Sequence, residues 1–464
     1  MADNRAIFLI FVAKYEVLNR NDNQSKFDAL RERFSVFSFE NQLVKRENGT
    51  LSMAFEFSLD SQYRFRPTLE IPARTFFDWD SIPMEQIEAL AFQIGMTELV
   101  SYWKIACPKR VVVKPFALTE AQKKFWKKLY YNGLGEFLYL NGISVSEDNL
   151  MQLEFDGNQP FAKVDALLDE KTLVPVGGGK DSVVTLESLR KDMPVIPLIV
   201  NPRGATLNCV KTAGCGESDF IVVNRTLDPT MLKLNAEGYL NGHTPFSALL
   251  AFISVLAAFG SRSRYIALSN ESSANESTVP GTNINHQYSK SIEFERDFRN
   301  YVAENINAKV QYFSFLRPLN ELQIAYLFSQ CEAYHPVFRS CNVGSKTDSW
   351  CGHCPKCLFT WIILSPFLSR DKLTSIFGKD LLKDNALRPI FEELNGTAAV
   401  KPFECVGTVE EVRACVDFMK DKGATLVEPS PMSTSSVEEI LKRFNHEHFL
   451  PEAFERILKS RLDV

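Results

Sequence analysis

Residues 51–59 alternate apolar and polar side chains with a period of two, the pattern of a half-buried strand. Residues 84–106 and 120–140 instead repeat their apolar positions at helical spacing. The second of these stretches carries Lys123, Lys124, Lys127 and Lys128 beside Phe125, Trp126, Leu129 and Tyr130. A basic face of this kind is ordinarily a solvated helix surface, with a diphosphate contact as the competing reading. From residue 173 the rhythm changes. Short apolar runs at 173–176, 195–200, 220–224 and 265–268 alternate with helical stretches at 182–191 and 244–259. Such alternation predicts an α/β fold with a parallel sheet covered by helices on both faces, its ligand at the carboxyl ends of the strands. Beyond residue 364 the chain reads as helical, with a small α/β unit at 400–427 and a linker at 429–437 before two terminal helices. The predicted division is an N-terminal α+β domain at 1–160 with a substrate-binding role, a catalytic domain at 161–365, and a mainly helical region at 366–464.

Composition narrows the class. Of 464 residues, 45% are hydrophobic and 23% charged, so the chain can bury enough surface to offset its ordering entropy, which excludes intrinsic disorder. A net charge of −5 lacks the basic footprint of a protein that holds nucleic acid by counterion release. Residues 1–14 have only a brief apolar run, preceded by an acid and followed by a lysine, which predicts a first strand and not a signal peptide. The apolar helix at 246–259 is shorter than the roughly 20 residues needed to span a bilayer and is interrupted by Ser247 and Ser254. A cytoplasmic protein with neither a nucleic-acid nor a membrane partner is the expectation.

Gly177, Gly178, Gly179, Lys180, Asp181 and Ser182 fall between a predicted strand and a predicted helix. Three glycines let the backbone adopt positive φ and bring consecutive N–H groups close to phosphate oxygens, while the helix start adds its partial positive charge. Lys180 and Ser182 supply further donors, and Asp181 suits a divalent cation such as Mg²⁺ or Mn²⁺. The spacing is neither Walker A nor the dinucleotide Gly-x-Gly-x-x-Gly. The hexamer resembles the pyrophosphate loop of the PP-loop ATPases, whose leading serine is here Gly177. That resemblance implies a HUP-like sheet and cleavage of ATP to AMP and pyrophosphate with adenylation of a carbonyl or carboxylate oxygen.

Of the ten cysteines, Cys341, Cys351, Cys354 and Cys357 crowd together. Two-residue spacers let neighbouring thiolates converge on one tetrahedral ion, so structural Zn²⁺ is predicted, with His353 as a substitute ligand and an iron–sulfur cluster as the alternative. A loop of this type followed by such a cluster also occurs in the deazaguanine-nitrile synthases.

Taken together, the glycine hexamer, Asn241-Gly-His-Thr-Pro245, the segment from Ser269 to Glu276, the segment from Asn285 to Glu295 and Cys351-Gly-His-Cys-Pro-Lys-Cys357 resemble the MurL family, with a weaker extension to Lys401-Pro-Phe-Glu-Cys405. These enzymes are ATP-dependent epimerases of UDP-N-acetylmuramoyl-L-alanyl-L-glutamate. The resemblance implies inversion of the terminal L-glutamate to D-glutamate, with AMP and pyrophosphate released and a divalent cation required. The product would feed peptidoglycan synthesis, coupling the enzyme functionally to other precursor enzymes.

Such a reaction explains why an epimerase would consume ATP. Inversion barely changes free energy, but removing the α-proton beside an ionised carboxylate places a second negative charge on one small group. An acyl-adenylate removes the first charge and makes the carbonyl an electron sink. In this scheme Gly177, Gly178, Gly179 and Ser182 hold pyrophosphate, Lys180 stabilises phosphate charge and Asp181 helps to place Mg²⁺. For the acid and base, His243, His286, Glu271, Lys290, Cys209 and Cys215 qualify by type, and His286 and Glu271 are favoured. The competing functions are a carboxylate-adenylating amidase or nitrile synthase, RNA thiolation, and a zinc-stabilised nucleotide-binding scaffold.

Overall fold

The computed structural model describes residues 21–157, 159–279, 281–282, 284–419, 426 and 430–462. The strand expected within residues 1–14 lies outside these. The strands are β1 (Val36–Glu47), β2 (Thr50–Leu59), β3 (Tyr63–Phe65), β4 (Thr68–Ile71), β5 (Arg110–Val113) and β6 (Gln152–Phe155). They continue as β7 (Asp169–Pro175), β8 (Val195–Val200), β9 (Ile221–Thr226), β10 (Ser263–Leu268) and β11 (Gln311–Ser314). One sheet contains all of them, in the order β11-β10-β7-β8-β9-β4-β2-β1-β5-β6, with β3 paired to β2. Asn48 and Gly49, both at positive φ, turn β1 back into antiparallel β2.

Strands β7 to β11 pair only in parallel with one another, and the first of them, β7, lies in the middle of the five. The chain therefore builds outward through β8 and β9 on one side and β10 and β11 on the other. That reversal leaves a crevice at the carboxyl ends of β7 and β10, where open α/β sheets take their ligands. Both faces are covered. Leu173, Leu198 and Ile266 belong to one hydrophobic core, while their neighbours Val174, Ile199 and Ala267 belong to the other.

The N-terminal strands join the same sheet through antiparallel pairing of β4 with β9, where Leu69 faces Arg225. Against β1 and β2 packs the Met84–Trp103 helix, buried at every position from Ala89 to Trp103 because the Phe246–Gly260 helix covers its other side. The helical stretch expected at 120–140 forms two pieces, Glu120–Gly133 and Gly135–Leu140. A Cβ on Gly133 would lie 2.8 Å from the Pro245 ring, so glycine there admits the start of the next segment. Lys128 is paired with Glu293 at 2.6 Å and Asp297 at 2.7 Å, so part of the basic face is spent on neighbouring acids.

Beyond Leu364 the described chain is helical, including Arg370–Phe377, Arg388–Leu394, Val409–Met419, Val437–Leu441 and Glu452–Leu462. The α/β unit expected at 400–427 has its helix but no strand among the described residues. The last helix packs back on the Lys180–Leu189 helix, where Arg461 Nη2 donates to the Ser188 carbonyl at 2.9 Å. No described helix is long and apolar enough to cross a membrane.

Candidate active site

The glycine turn leaves β7 at the crevice and enters the Lys180–Leu189 helix. Gly178 has φ +81°, and a Cβ there would stand 3.0 Å from the Ala205 carbonyl carbon and the Thr206 nitrogen. A Cβ on Gly177 would meet nothing within 4 Å, so that residue faces open space beside the helix start. The turn is fixed from outside by the Arg339 N–H, which donates to the Gly178 carbonyl at 2.8 Å. Ser182 Oγ donates back to the Gly179 carbonyl at 3.0 Å. Exposed glycine backbone beside a helix N-terminus suits a pyrophosphate.

Lys180 has only 3% of its side chain exposed and is paired with Asp181 and Glu321. Burial opposes its charge, but these two carboxylates outweigh burial and hold the ammonium firmly protonated. Its partner Glu321 is itself pushed up by burial, and by Asp181, Glu271 and Glu411, against the pull of Lys180. Glu411 Oε1 accepts the Glu321 N–H at 2.6 Å. Lys180 is thus held in the interior between two carboxylates, whereas Asp181 keeps a third of its side chain exposed.

Around the carboxyl end of β10 a second group assembles. Glu271 is buried; Ser273 Oγ donates to its carboxylate at 3.3 Å, and Arg317 Nη1 donates to its carbonyl at 2.7 Å. The other Arg317 nitrogen donates to the Lys290 carbonyl, so one buried arginine ties the two loops together. Lys290 lies in the field of Cys405, Glu271 and Asp181, and its Nζ donates to the Cys405 sulfur at 3.1 Å. His286 Nδ1 is joined to Glu136, and the His243 Nδ1 lies 3.6 Å from the same carboxylate oxygen. The two imidazole centroids are 4.6 Å apart.

Burial opposes protonation of His286, but hydrogen bonds with Cys405 and Glu136 prevail and raise its pKa to about 9. Burial likewise opposes the Cys405 thiolate, yet Lys290, Lys356 and His286 pull its pKa down to about 6. Glu136, His243 and His286 carry donor atoms within 4.8 Å of one another, so their types alone would suit a metal ion. The imidazole of His286, however, is already shared between a carboxylate and a thiol, which is the arrangement of a proton relay.

Sequence reasoning named His243, His286, Lys290 and Glu271, quoted Cys405 only within the weaker extension at residues 401–405, and missed Glu136; Glu136 meets His243 and His286, and Cys405 meets Lys290. Glu136 comes from the short Gly135–Leu140 helix of the N-terminal half, and the Asn241–Pro245 loop lies on that helix. Asn141 Nδ2 donates to the Asn241 carbonyl at 3.1 Å, and a Cβ on Gly242 would strike Phe137 at 2.9 Å. The available signal was Gly242 before His243; nothing local marked Glu136. Burial pushes the Cys209 pKa up to about 12 beneath the glycine turn, and burial with Asp219 raises Cys215.

Cys341, Cys351, Cys354 and Cys357 converge, with sulfur–sulfur distances of 3.7, 3.7 and 3.5 Å for the pairs 341–354, 351–357 and 354–357. A tetrahedron with metal–sulfur bonds of about 2.3 Å has edges of about 3.8 Å, so this donor set fits one ion. A multi-iron cluster needs its ligands spread around several metals, and the sulfurs are too close for that. His353 is exposed, with Nδ1 at 2.8 Å from the Cys351 carbonyl, and is not a fifth donor, contrary to its expected role as substitute. The cluster adjoins the turn, because an ideal Gly179 Cβ would lie 2.9 Å from Ser340 Oγ, one residue before Cys341.

Comparison with known proteins agrees with this architecture. The family model of the MurL N-terminal domain matches residues 28–315, and that of the MurL C-terminal domain matches residues 337–441. A UDP-N-acetyl-alpha-D-muramoyl-L-alanyl-L-glutamate epimerase from a Micromonospora species is 35% identical over 84% of this chain and 88% of its own length. The enzyme of the same name from Xanthomonas oryzae pv. oryzae is 33% identical over 86% of this chain and 88% of its own. With both halves matched and relatives aligned along most of its length, the chain belongs to the MurL family.

Proposed function

We propose that the protein inverts the terminal L-glutamate of UDP-MurNAc-L-Ala-L-Glu to D-glutamate, using ATP through an acyl-adenylate and releasing AMP and pyrophosphate. The substrate is that of the named relatives. Support for the route comes from one juxtaposition: a phosphate-type glycine turn and a cluster of proton-transfer groups share the carboxyl end of one parallel sheet, linked through the field of Lys290.

The chemistry balances as follows. The substrate α-carboxylate attacks the α-phosphorus of ATP, and pyrophosphate leaves into the turn of Gly177, Gly178 and Gly179. Ser182 and the helix N–H groups take its charge, and Lys180, paired with Asp181, stabilises phosphate charge. Asp181 would hold Mg²⁺ or Mn²⁺, which when bound neutralises phosphate charge. On the adenylate the α-proton leaves to a base, its electron pair moves into the carbonyl, and a proton returns to the opposite face. Water then hydrolyses the anhydride to AMP and the D-carboxylate. The proton work is assigned to the groups around Lys290, with His286 on one arm and Glu271 on the other. The four cysteines would hold Zn²⁺, which supplies a crosslink and no reacting bond.

The test is incubation of the purified protein with ATP, Mg²⁺ and UDP-MurNAc-L-Ala-L-Glu in D₂O, followed by chiral analysis of the glutamate. D-Glutamate carrying deuterium at the α-carbon, with one pyrophosphate per turnover, is expected. An amidase or nitrile synthase would leave the α-hydrogen in place, and that outcome would discard the epimerase.

A further inference from the structure

Cys405 lies outside the four-cysteine cluster, and Lys290, Lys356 and His286 surround its sulfur with positive charge. Its sulfur accepts from Lys290 Nζ at 3.1 Å, and it meets the imidazole that Glu136 orients from the N-terminal half. The residue is partly exposed, unlike Cys107, Cys209 and Cys415, which are buried.

Its loop is held from several directions. Phe403 packs on Tyr139 with ring centroids 5.5 Å apart. The Lys401 N–H donates to the Thr278 carbonyl at 3.3 Å, its ammonium pairs with Glu276 and donates to the Gly407 carbonyl at 2.9 Å, and Asn342 Nδ2 donates to Glu404 at 2.8 Å. These contacts join the C-terminal segment to the loop after β10, to the Gly135–Leu140 helix and to the metal-cluster loop. A thiol on a mobile loop would gain nothing from this anchoring. A thiol that must meet one hydrogen atom needs its partners held to within a fraction of an ångström.

We infer that Cys405 is the catalytic base on one face of the glutamate α-carbon, making the direct proton transfer on the arm of His286, which with Lys290 then serves as its positioning residue. The inference rests on the adenylation reading and deepens it. In the step, the Cα–H bond breaks, an S–H bond forms, and the electron pair enters the adenylate carbonyl. A donor on the opposite face returns a proton to carbon, and thiol and donor recover their starting forms by exchange with water. The charges that face the sulfur are Lys290, Lys356 and His286, while Asp181 and Glu271 act on it through Lys290. Three cationic neighbours make the thiolate the resting form near neutral pH, when a free thiol would be only a few per cent ionised.

The experiment uses the intact protein with substrate deuterated at the glutamate α-carbon. In Cys405→Ala and Cys405→Ser, loss of α-deuterium and formation of D-glutamate should fall about 10²-fold or more. Substrate-dependent pyrophosphate release should persist in both. As a measurement independent of those variants, iodoacetamide should label Cys405 of the wild type first at pH 7, as located by peptide mass spectrometry. Lys290→Met should slow that labelling by up to about tenfold, because a thiol whose pKa returns to about 8 is only about a tenth ionised at pH 7. Wild-type-like α-exchange without the thiol, or labelling of Cys405 no faster than an ordinary thiol, overturns the inference while pyrophosphate release keeps the adenylation reading. A wild type that releases no pyrophosphate overturns both.

Discussion

Adjacent glycines in the turn should respond in opposite ways to the same added methyl group. At Gly178 the backbone is left-handed, which costs an L-residue about 1–2 kcal/mol, and the new Cβ would press on the Ala205 and Thr206 backbone at 3.0 Å. Backbone atoms cannot swing aside, so the turn itself must shift. A shift that breaks even one charge-assisted N–H contact with phosphate removes about 1.5–3 kcal/mol, or roughly 10- to 100-fold in ATP affinity. At Gly177 the methyl meets no protein atom, and its φ is not positive. Gly177→Ala should therefore melt at or slightly above the wild-type temperature, since alanine restricts the unfolded chain by about 0.4–1 kcal/mol. It should still raise the KM for ATP, because the open space beside Gly177 is where the proposed pyrophosphate would lie. The assay pairs thermal unfolding without nucleotide with the ATP dependence of pyrophosphate release. Gly178→Ala should lose on both readouts and Gly177→Ala on the second alone. Wild-type ATP dependence in both variants would show that the nucleotide binds elsewhere.

Two further outcomes follow from the charges and sulfurs. Purified protein should carry one Zn²⁺ per chain and lack the visible absorption of iron–sulfur centres; its removal with a mercurial should raise the KM for ATP before the chain unfolds, since Ser340 and Arg339, just before Cys341, touch the glycine turn. His286, whose folded pKa lies near 9, contributes stability present below about pH 6.5 and lost as pH rises through 9, while Cys405, near 6, contributes stability present above about pH 8.5 and lost as pH falls through 6. Between pH 7 and 8 the two proton changes cancel, so wild-type denaturation midpoints should be nearly flat there with respect to this pair. In Cys405→Ala, where Glu136 still favours protonated His286, the midpoint should fall with rising pH, and an unchanged slope in urea titrations would refute the pairing.

Several elements were legible from pattern alone. Residues 195–200 form the strand read from their apolar run, residues 51–59 extend by one to Thr50–Leu59, and the helix expected at 182–191 begins earlier, at Lys180. Such elements depend on local periodicity, which tertiary contacts reinforce. The break at Leu134 had a local signal in Gly133 and Gly135, whereas the packing of Pro245 against Gly133, more than a hundred residues away, was not legible. The N-terminal strands likewise give no local sign that β4 will pair with β9. Lys180 was read as a phosphate ligand from its place in the hexamer, and its pairing with Glu321, 141 residues away, was not legible there.

By itself the sequence determined the glycine turn, the four converging cysteines and the α/β rhythm, since each is set by spacing along a short stretch of backbone. Only the tertiary structure decided that Glu136 and Cys405 join His286 and Lys290, because their meeting depends on segments far apart in the chain. Charge interactions act through space and burial alters their strength, so the chemistry of these groups became readable only once folding had fixed their neighbours.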